Sequence, residues 1–231
     1  MNKLLLSASC IFVATLCSEI GDDYTKHVEN SILKANDNIS SLSPQVLALE
    51  GMSSPKVRHL LNNLCSLSNT HYLEVGVWKG STWISALYKN HKKIVSATAI
   101  DNWSEFGGPE HSFRLNCKTF LKKSINYSFF NSDSFKFNLS NISTPINIYF
   151  YDGNHTALSQ EMAFTYYDPI FADTFIAVID DWDWPSVHEG TRAAFAKLNY
   201  TILFEASLHS NGINDAETWW NGIGIFVLKK P

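Results

Sequence analysis

Basic stretches, paired cysteines and a run long enough to cross a membrane are what this sequence is short of. Its 231 residues carry 18 Lys+Arg against 22 Asp+Glu, a formal charge of −4, with no basic run longer than a pair. Neutralising a phosphate backbone needs a clustered basic surface, so nucleic acid is not an expected partner. The four cysteines, Cys10, Cys17, Cys65 and Cys117, form no C-x-x-C pair and no Cys/His cluster of zinc spacing. That argues against both a disulfide framework and a zinc site. Charge is sparse at 17%, while 45% of residues are hydrophobic and 13% aromatic. Such a chain folds, and its length suits one core better than two.

The N-terminus holds the longest apolar stretch, Leu4 to Cys17, preceded by Lys3 and followed by Ser18-Glu19. A membrane span needs about 20 apolar residues, so no stable span is expected in the mature chain. The length matches the core of an export signal, although Leu16 and Cys17 stand where cleavage prefers small residues. Residues 1–18 therefore read either as a signal peptide or as a helix packed on the domain. Residues 19–43 are polar and read as a loosely held lead-in. From Ser43-Pro44 to Leu67, apolar residues recur at helical spacing, and Gly51 and Pro55 break the segment into two helices. Residues 19–69 are thus a lead-in followed by a helical cap over one end of the fold.

From residue 70 the pattern alternates. Strands are expected at His71–Val77, Ile94–Ile100, Tyr127–Asn131, Ile146–Tyr151 and Thr174–Ile179. Helices are expected between them at Ser81–Lys89, Ser112–Lys123 and Ala157–Tyr167, with another at Ser186–Leu198. Strands alternating with helices of this length read as βαβ units with a parallel sheet. Tyr200–Phe204 and Ile223–Leu228 follow without an intervening helix, which implies an antiparallel edge strand closing the sheet. The expected fold is α/β: a Rossmann-like, doubly wound, seven-stranded sheet with an antiparallel last strand and an N-terminal helical cap.

Acidic residues end strand after strand: Asp101, Asp152 and Asp180-Asp181, with Asp133 just past another. Aspartate favours turns, so one such residue means little. Several on the carboxyl edge of a parallel sheet point to a ligand site, because ligands bind in the crevice there. The first crossover reads Leu73-Glu74-Val75-Gly76-Val77-Trp78-Lys79-Gly80-Ser81. It is neither a phosphate-binding P-loop nor a G-x-G-x-x-G turn, yet its glycines let backbone approach a ligand. Asp101 lies 21 residues beyond Gly80, near the roughly 20 expected of an acid that holds ribose hydroxyls. Asp152 and Asp180 are one βαβ unit apart, so their carboxylates fall on neighbouring strands and can share a hard cation such as Mg²⁺ or Mn²⁺. Asp181-x-Asp183 mimics a phosphatase pair, but it follows the fifth strand instead of the first and is set aside.

These residues together resemble the class I S-adenosylmethionine-dependent methyltransferases over about residues 70–230. Leu73-Glu74-Val75-Gly76 with Gly80 is similar to that family's first motif, whose loop wraps the methionine part of the cofactor. Asp101 stands where the family holds the ribose, and Asn131-Ser132-Asp133-Ser134-Phe135 resembles the segment beside the adenine. Trp219-Trp220-Asn221-Gly222 and the closing hairpin match its antiparallel seventh strand. The resemblance implies S-adenosylmethionine contacts from Glu74, Gly76, Gly80, Ser81, Asp101, Asn102, Asp133 and Ser134. Within the superfamily the chain is most similar to metal-dependent O-methyltransferases of the catechol and the macrolide- and aminocoumarin-sugar kinds. On that likeness Asp152, Asp180 and Asp181 hold the metal and a small-molecule hydroxyl is the acceptor. His155 stands three residues after Asp152, where the catechol type has a lysine base, and reads as the catalytic base or as a plain loop histidine. Trp103, Phe106, Trp182 and Trp184 are expected to wall the acceptor pocket, with Ser104–His111 as a lid. Trp219 and Trp220 read as further lining from the last hairpin. Arg192 reads as solvent-facing. The alternative is a non-catalytic, exported binding protein on the same fold. A cytosolic cofactor against a signal-like N-terminus leaves the compartment open, as is the choice between monomer and homo-oligomer.

Overall fold

The computed structural model describes the backbone of residues 3–231 and side chains from residue 19 onward. The signal-peptide expectation for 1–18 thus falls outside the residues whose side chains are described. Among the described residues, no helix is long and apolar enough to cross a membrane.

Three helices precede the sheet: α1 (Lys3–Asn36), α2 (Pro44–Leu47) and α3 (Pro55–Leu64). Ser43 and Ser54 cap the last two, each with proline in the first turn, where the missing N–H is not needed. The expected loose lead-in over 19–43 is not what forms. Through Asn36 the chain is helical, and Tyr24, Val28, Ser31, Ile32 and Ala35 are turned inward. His27 Nε2 meets the Leu64 carbonyl at 2.9 Å, and Tyr24 Oη accepts a hydrogen bond from Asn147 Nδ2. A helix with an apolar stripe at three- and four-residue spacing is held by that packing more than by propensity.

The sheet follows as β1 (Thr70–Val75), α4 (Ser81–Leu87), β2 (Ile94–Asp101), α5 (Glu110–Phe120), β3 (Tyr127–Asn131), β4 (Ile146–Tyr151), α6 (Ala157–Thr165), β5 (Phe171–Ile179), α7 (Pro185–Leu198), β6 (Thr201–Leu208) and β7 (Ile223–Lys229). Its order is β3-β2-β1-β4-β5-β7-β6. The first five strands pair in parallel. The last strand, β7, is antiparallel to both β5 and β6. It is antiparallel as expected but does not lie on the edge: it inserts between β5 and β6. Its burial pattern explains why, since Ile223 through Leu228 are buried on both faces whereas β6 alternates and is half exposed. The strand with the more continuous apolar run takes the inner place.

Both faces of the sheet are covered. Tyr72, Ala97, Ala99, Ile148 and Phe150 pack with α1, α3, α4 and α5, while Leu73, Ile100, Tyr149 and Tyr151 pack with α6 and α7. Neighbours in the chain thus serve opposite layers, as the two-residue period of a strand requires. Registers align Val75 with Ile100 and Tyr151, and Tyr151 with Ile179. The residues that follow these strands therefore meet at one rim.

Candidate active site

A cavity of about 530 Å³ opens at that rim, within the range of small-molecule sites. Gly76, Ser81, Asp101, Asn102, Ser134, Asp152, His155, Asp180 and Asp181 all line it. The separate crossovers thus converge as their strand-end positions implied. Three expected cofactor residues stand elsewhere. Gly80 backs the loop with φ +85, and a Cβ there would come within 2.9 Å of Phe113. Asp133 does not line the cavity: its Oδ1 accepts from the Phe135 N–H and its other oxygen faces Lys136. Glu74 lies beneath the loop, fully buried, accepting hydrogen bonds from the Tyr72 hydroxyl and Thr82 Oγ1, both at 2.6 Å.

Burial is the main reason that the Glu74 carboxyl is pushed up to about 8; its two hydroxyl donors oppose the shift, and Asp152 and Asp101 add to it. The folded chain therefore keeps a proton that the unfolded chain releases near pH 4.5, and stability falls as pH rises between those values. Glu74→Gln, which preserves a partner for each hydroxyl, is expected to flatten this decline. Its advantage should grow by up to roughly 1.4 kcal/mol per pH unit in that window. Thermal melts at pH 5.5, 7 and 8 check this; parallel curves for the two proteins would contradict it.

Asp101 is a backbone organiser before it is anything else. Oδ2 accepts from the N–H groups of Val77 and Trp78, each at 2.8 Å, and Oδ1 from that of Trp103 at 2.6 Å. A carboxylate offers about four lone-pair sites, so the ribose contact expected of it has little acceptor capacity left. Asn102 Oδ1 is likewise occupied, by the Ser104 N–H and hydroxyl. The loop that Asp101 ties down leads into α4, whose N-terminus has no side-chain cap, leaving N–H groups there for a ligand.

Across the cavity, His155 Nε2 stands 2.9 Å from Asp181 Oδ2 and 4.0 Å from Asp152 Oδ1. One donor atom from each of the three lies within 4.8 Å of the others. The ring N–H direction misses the carboxylates, so buried Nε2 has no hydrogen-bond partner, and neither has Asp180 Oδ1. Burial pulls the imidazole down, but the carboxylates of Asp152 and Asp181 outweigh it and push His155 up to about 10. Burial also raises Asp152, to about 6, and raises Asp180 well above the usual range, with Asp152 and Asp181 adding repulsion. An imidazolium between carboxylates is a poor proton acceptor at neutral pH, which tells against the base role expected of His155.

The walls are aromatic. Trp103, Phe106, Trp184 and Trp220 line the cavity as expected, joined by Trp78. Trp182 does not: it is fully buried, stacked on His188 at 3.7 Å and bonded to Ser207. Trp219 is also buried away from the lining. Arg192 pairs with Glu205 on the surface. Among the described residues, six of the ten non-glycine positions with positive φ line this one cavity: Trp78, Trp103, Phe106, Asp181, Asn214 and Trp220. Bulky residues rarely adopt that region, and such strain gathers where surroundings fix a site.

Sequence reasoning missed several contributors, among them Met52 and Asn221. Met52, between α2 and α3, reaches the cavity from the cap. Asn221, buried, donates from Nδ2 to Asp181 Oδ1 at 2.7 Å and accepts from the Asn214 N–H at 2.7 Å. It fixes which oxygen of Asp181 faces His155. Its place just before β7 was legible, but its partner was not.

A family described as a methyltransferase domain matches residues 73–182, which spans β1 through the end of β5. No curated protein matches the chain significantly. Among solved structures, TrmN from Thermus thermophilus superposes with a TM-score of 0.56 at 11% identity, over 81% of this chain and 52% of its own. The chain thus spans about half of that protein. An O-methyltransferase from Bacillus cereus, in complex with SAH, gives 0.51 at 13% identity, over 87% of this chain and 90% of its own. TomG of Streptomyces achromogenes, an O-methyltransferase involved in tomaymycin synthesis and in complex with SAM, gives 0.52 at 15%, over 86% and 89%. At such identities the likeness speaks to fold, and it agrees with the domain match. Residues 73–182 thus match a methyltransferase domain, on a fold that these solved methyltransferases share.

Proposed function

We propose that the chain transfers the methyl group of S-adenosylmethionine to a hydroxyl of a small molecule, with a divalent ion, Mg²⁺ or Mn²⁺, held by Asp152, Asp180 and Asp181. One observation carries the reading: the carboxylate cluster and the Gly76–Ser81 loop open on the same cavity. The donor set fits an ion. Three acidic side chains line the cavity, two of them buried, and Asp180 Oδ1 and His155 Nε2 lack a hydrogen-bond partner. Buried charged groups of one sign persist only when something compensates them. When bound, such an ion lowers the pKa of a coordinated hydroxyl.

The chain's own residues do the rest. Gly76 brings the backbone close to the methionine part of the cofactor, and the uncapped start of α4 faces its carboxylate. Ser134 borders the adenine. Trp184 and Trp220 hold the acceptor so that its oxygen attacks in line; positioning of this kind is a major part of catalysis. The C–O bond forms as the S–CH₃ bond breaks, and the hydroxyl proton leaves to solvent. No lysine or arginine among the described residues lines the cavity, which favours an uncharged small acceptor over RNA.

Calorimetric titration with S-adenosylmethionine, followed by S-adenosylhomocysteine release with phenolic and sugar hydroxyl acceptors, tests this. Binding is expected, with turnover lost in EDTA and restored by added Mg²⁺ or Mn²⁺. A folded chain that does not bind the cofactor ends the proposal; turnover indifferent to EDTA ends its metal component. Binding without transfer to any hydroxyl would favour the non-catalytic alternative.

A further inference from the structure

We infer that His155 is itself a ligand of the divalent ion, so that Asp152, His155 and Asp181 form a mixed oxygen–nitrogen site that prefers Mn²⁺, Co²⁺ or Zn²⁺ to Mg²⁺. This rests on the metal component of the reading above, and it reassigns the imidazole from the role its sequence position suggests.

Geometry is the ground for it. A base for the acceptor hydroxyl would aim its nitrogen into the open cavity. His155 instead turns Nε2 toward the carboxylates, 2.9 Å from Asp181 Oδ2 and 4.0 Å from Asp152 Oδ1. An ion with bonds of about 2.1 Å seats neighbouring donors roughly 3.0–3.5 Å apart, between those two separations. The nitrogen is buried and makes no aligned hydrogen bond with either oxygen, so the two side chains point at a shared place more than at each other. A second unpartnered atom stands on the same cavity. Asp180 is 3% exposed, and its Oδ1 has no partner although it lines the same cavity.

The supports of the imidazole look like those of a ligand. Trp184 packs edge-on against the ring, with centroids 5.0 Å apart at 74°. Ser186 Oγ donates to the His155 carbonyl at 2.8 Å and holds the loop. On the other side, Asn221 occupies Asp181 Oδ1 and leaves Oδ2 facing the nitrogen. Metal ligands are commonly oriented by such outer contacts. Imidazole suits first-row transition ions, whereas Mg²⁺ favours an all-oxygen shell.

The whole chain, freed of metal by EDTA and dialysed, is to be titrated calorimetrically with Mn²⁺, Co²⁺, Zn²⁺ and Mg²⁺. The Mn²⁺ complex is then examined by pulsed EPR for coupling to an imidazole ¹⁴N. Transition ions are expected to bind at least about tenfold more tightly than Mg²⁺, with ¹⁴N coupling present. His155→Ala should remove the coupling and weaken Mn²⁺ by about 10- to 100-fold, with Mg²⁺ little changed. Because the wild-type spectrum reads the nitrogen directly, a misfolded variant would not rescue the idea. Mn²⁺ bound with no imidazole coupling, or an unchanged affinity in a folded His155→Ala, overturns the inference while the metal reading stands. No divalent ion binding at all overturns both.

Discussion

Gly76→Ala is expected to lower the melting temperature by about 8 °C or more and to abolish cofactor binding in whatever fraction folds. A Cβ at this position would lie 1.9 Å from the Asp152 carbonyl oxygen and 2.6 Å from its carbon. Those are backbone atoms, and they cannot swing aside as a side chain would. Gly76 is itself anchored, its N–H donating to the Ile100 carbonyl at 2.9 Å, while the Asp152 N–H donates to Val75 at 2.8 Å. The new methyl is therefore held between adjacent strands. Its φ of +86° adds a conformational penalty of about 1–2 kcal/mol for any L side chain. Together these reach the class of substitutions costing more than about 4 kcal/mol, at 2–4 °C per kcal/mol for a chain of this size. Gly107 supplies the control: its φ is +85°, yet nothing lies within 4 Å of a Cβ there. Gly107→Ala should show the torsional cost alone, about 1–2 kcal/mol. Similar melting temperatures for the two variants would show that the clash is relieved by a movement of β4, and with it that the rim is softer than its hydrogen bonds imply.

Much of the rim could be read from the sequence because strand ends are fixed by simple patterns. Ile146–Tyr151 is apolar but for Asn147 and stops at Asp152, which puts the carboxylate at a strand's end; the same holds for Ile179 and Asp180. Adjacency followed from counting crossovers, since β4 and β5 are joined by one helix and pair in parallel. What could not be read depends on tertiary contacts. The stripe of Tyr24, Val28 and Ala35 has helical spacing, but Asp22 and Asp23 precede it and Lys26 and Glu29 lie between its members, giving the segment the composition of a loop. Whether β7 or β6 takes the edge is decided by which buries both faces, and short apolar strands in sequence look alike. The left-handed backbone at Trp78, Trp103, Phe106 and Trp220 runs against local preference, which assigns such positions to glycine or asparagine. Local rules fail there because the surroundings of a site override them. Glu74 shows the opposite lesson. Its motif position suggested a cofactor contact, but Tyr72 and Thr82 occupy both its oxygens beneath the floor of the cavity.

Asp180→Asn should make the ion-free protein more stable and the enzyme nearly inactive. In the wild type a carboxyl that is 3% exposed stands within reach of the charges of Asp152 and Asp181 with one oxygen unpartnered. Burial, then the charges of Asp152 and Asp181, raise it well above the usual carboxylate range. A group raised in this way favours folding at low pH and loses that contribution as pH rises, because the unfolded chain ionises first. Asparagine keeps the shape and removes the charge. In EDTA the variant should gain about 1–2 kcal/mol, equivalent to roughly 2–8 °C in melting temperature, with the gain larger at pH 8 than at pH 6. Turnover with Mn²⁺ should fall by about 100-fold or more, the scale at which ions respond to loss of the groups around them. Opposite signs in the two measurements are the signature of a charge kept for chemistry at the expense of the fold. A melting temperature that drops in EDTA would mean that Asp180 serves the structure. Unchanged turnover in a stabilised variant would place the ion, if one binds, on Asp152 and its other neighbours alone.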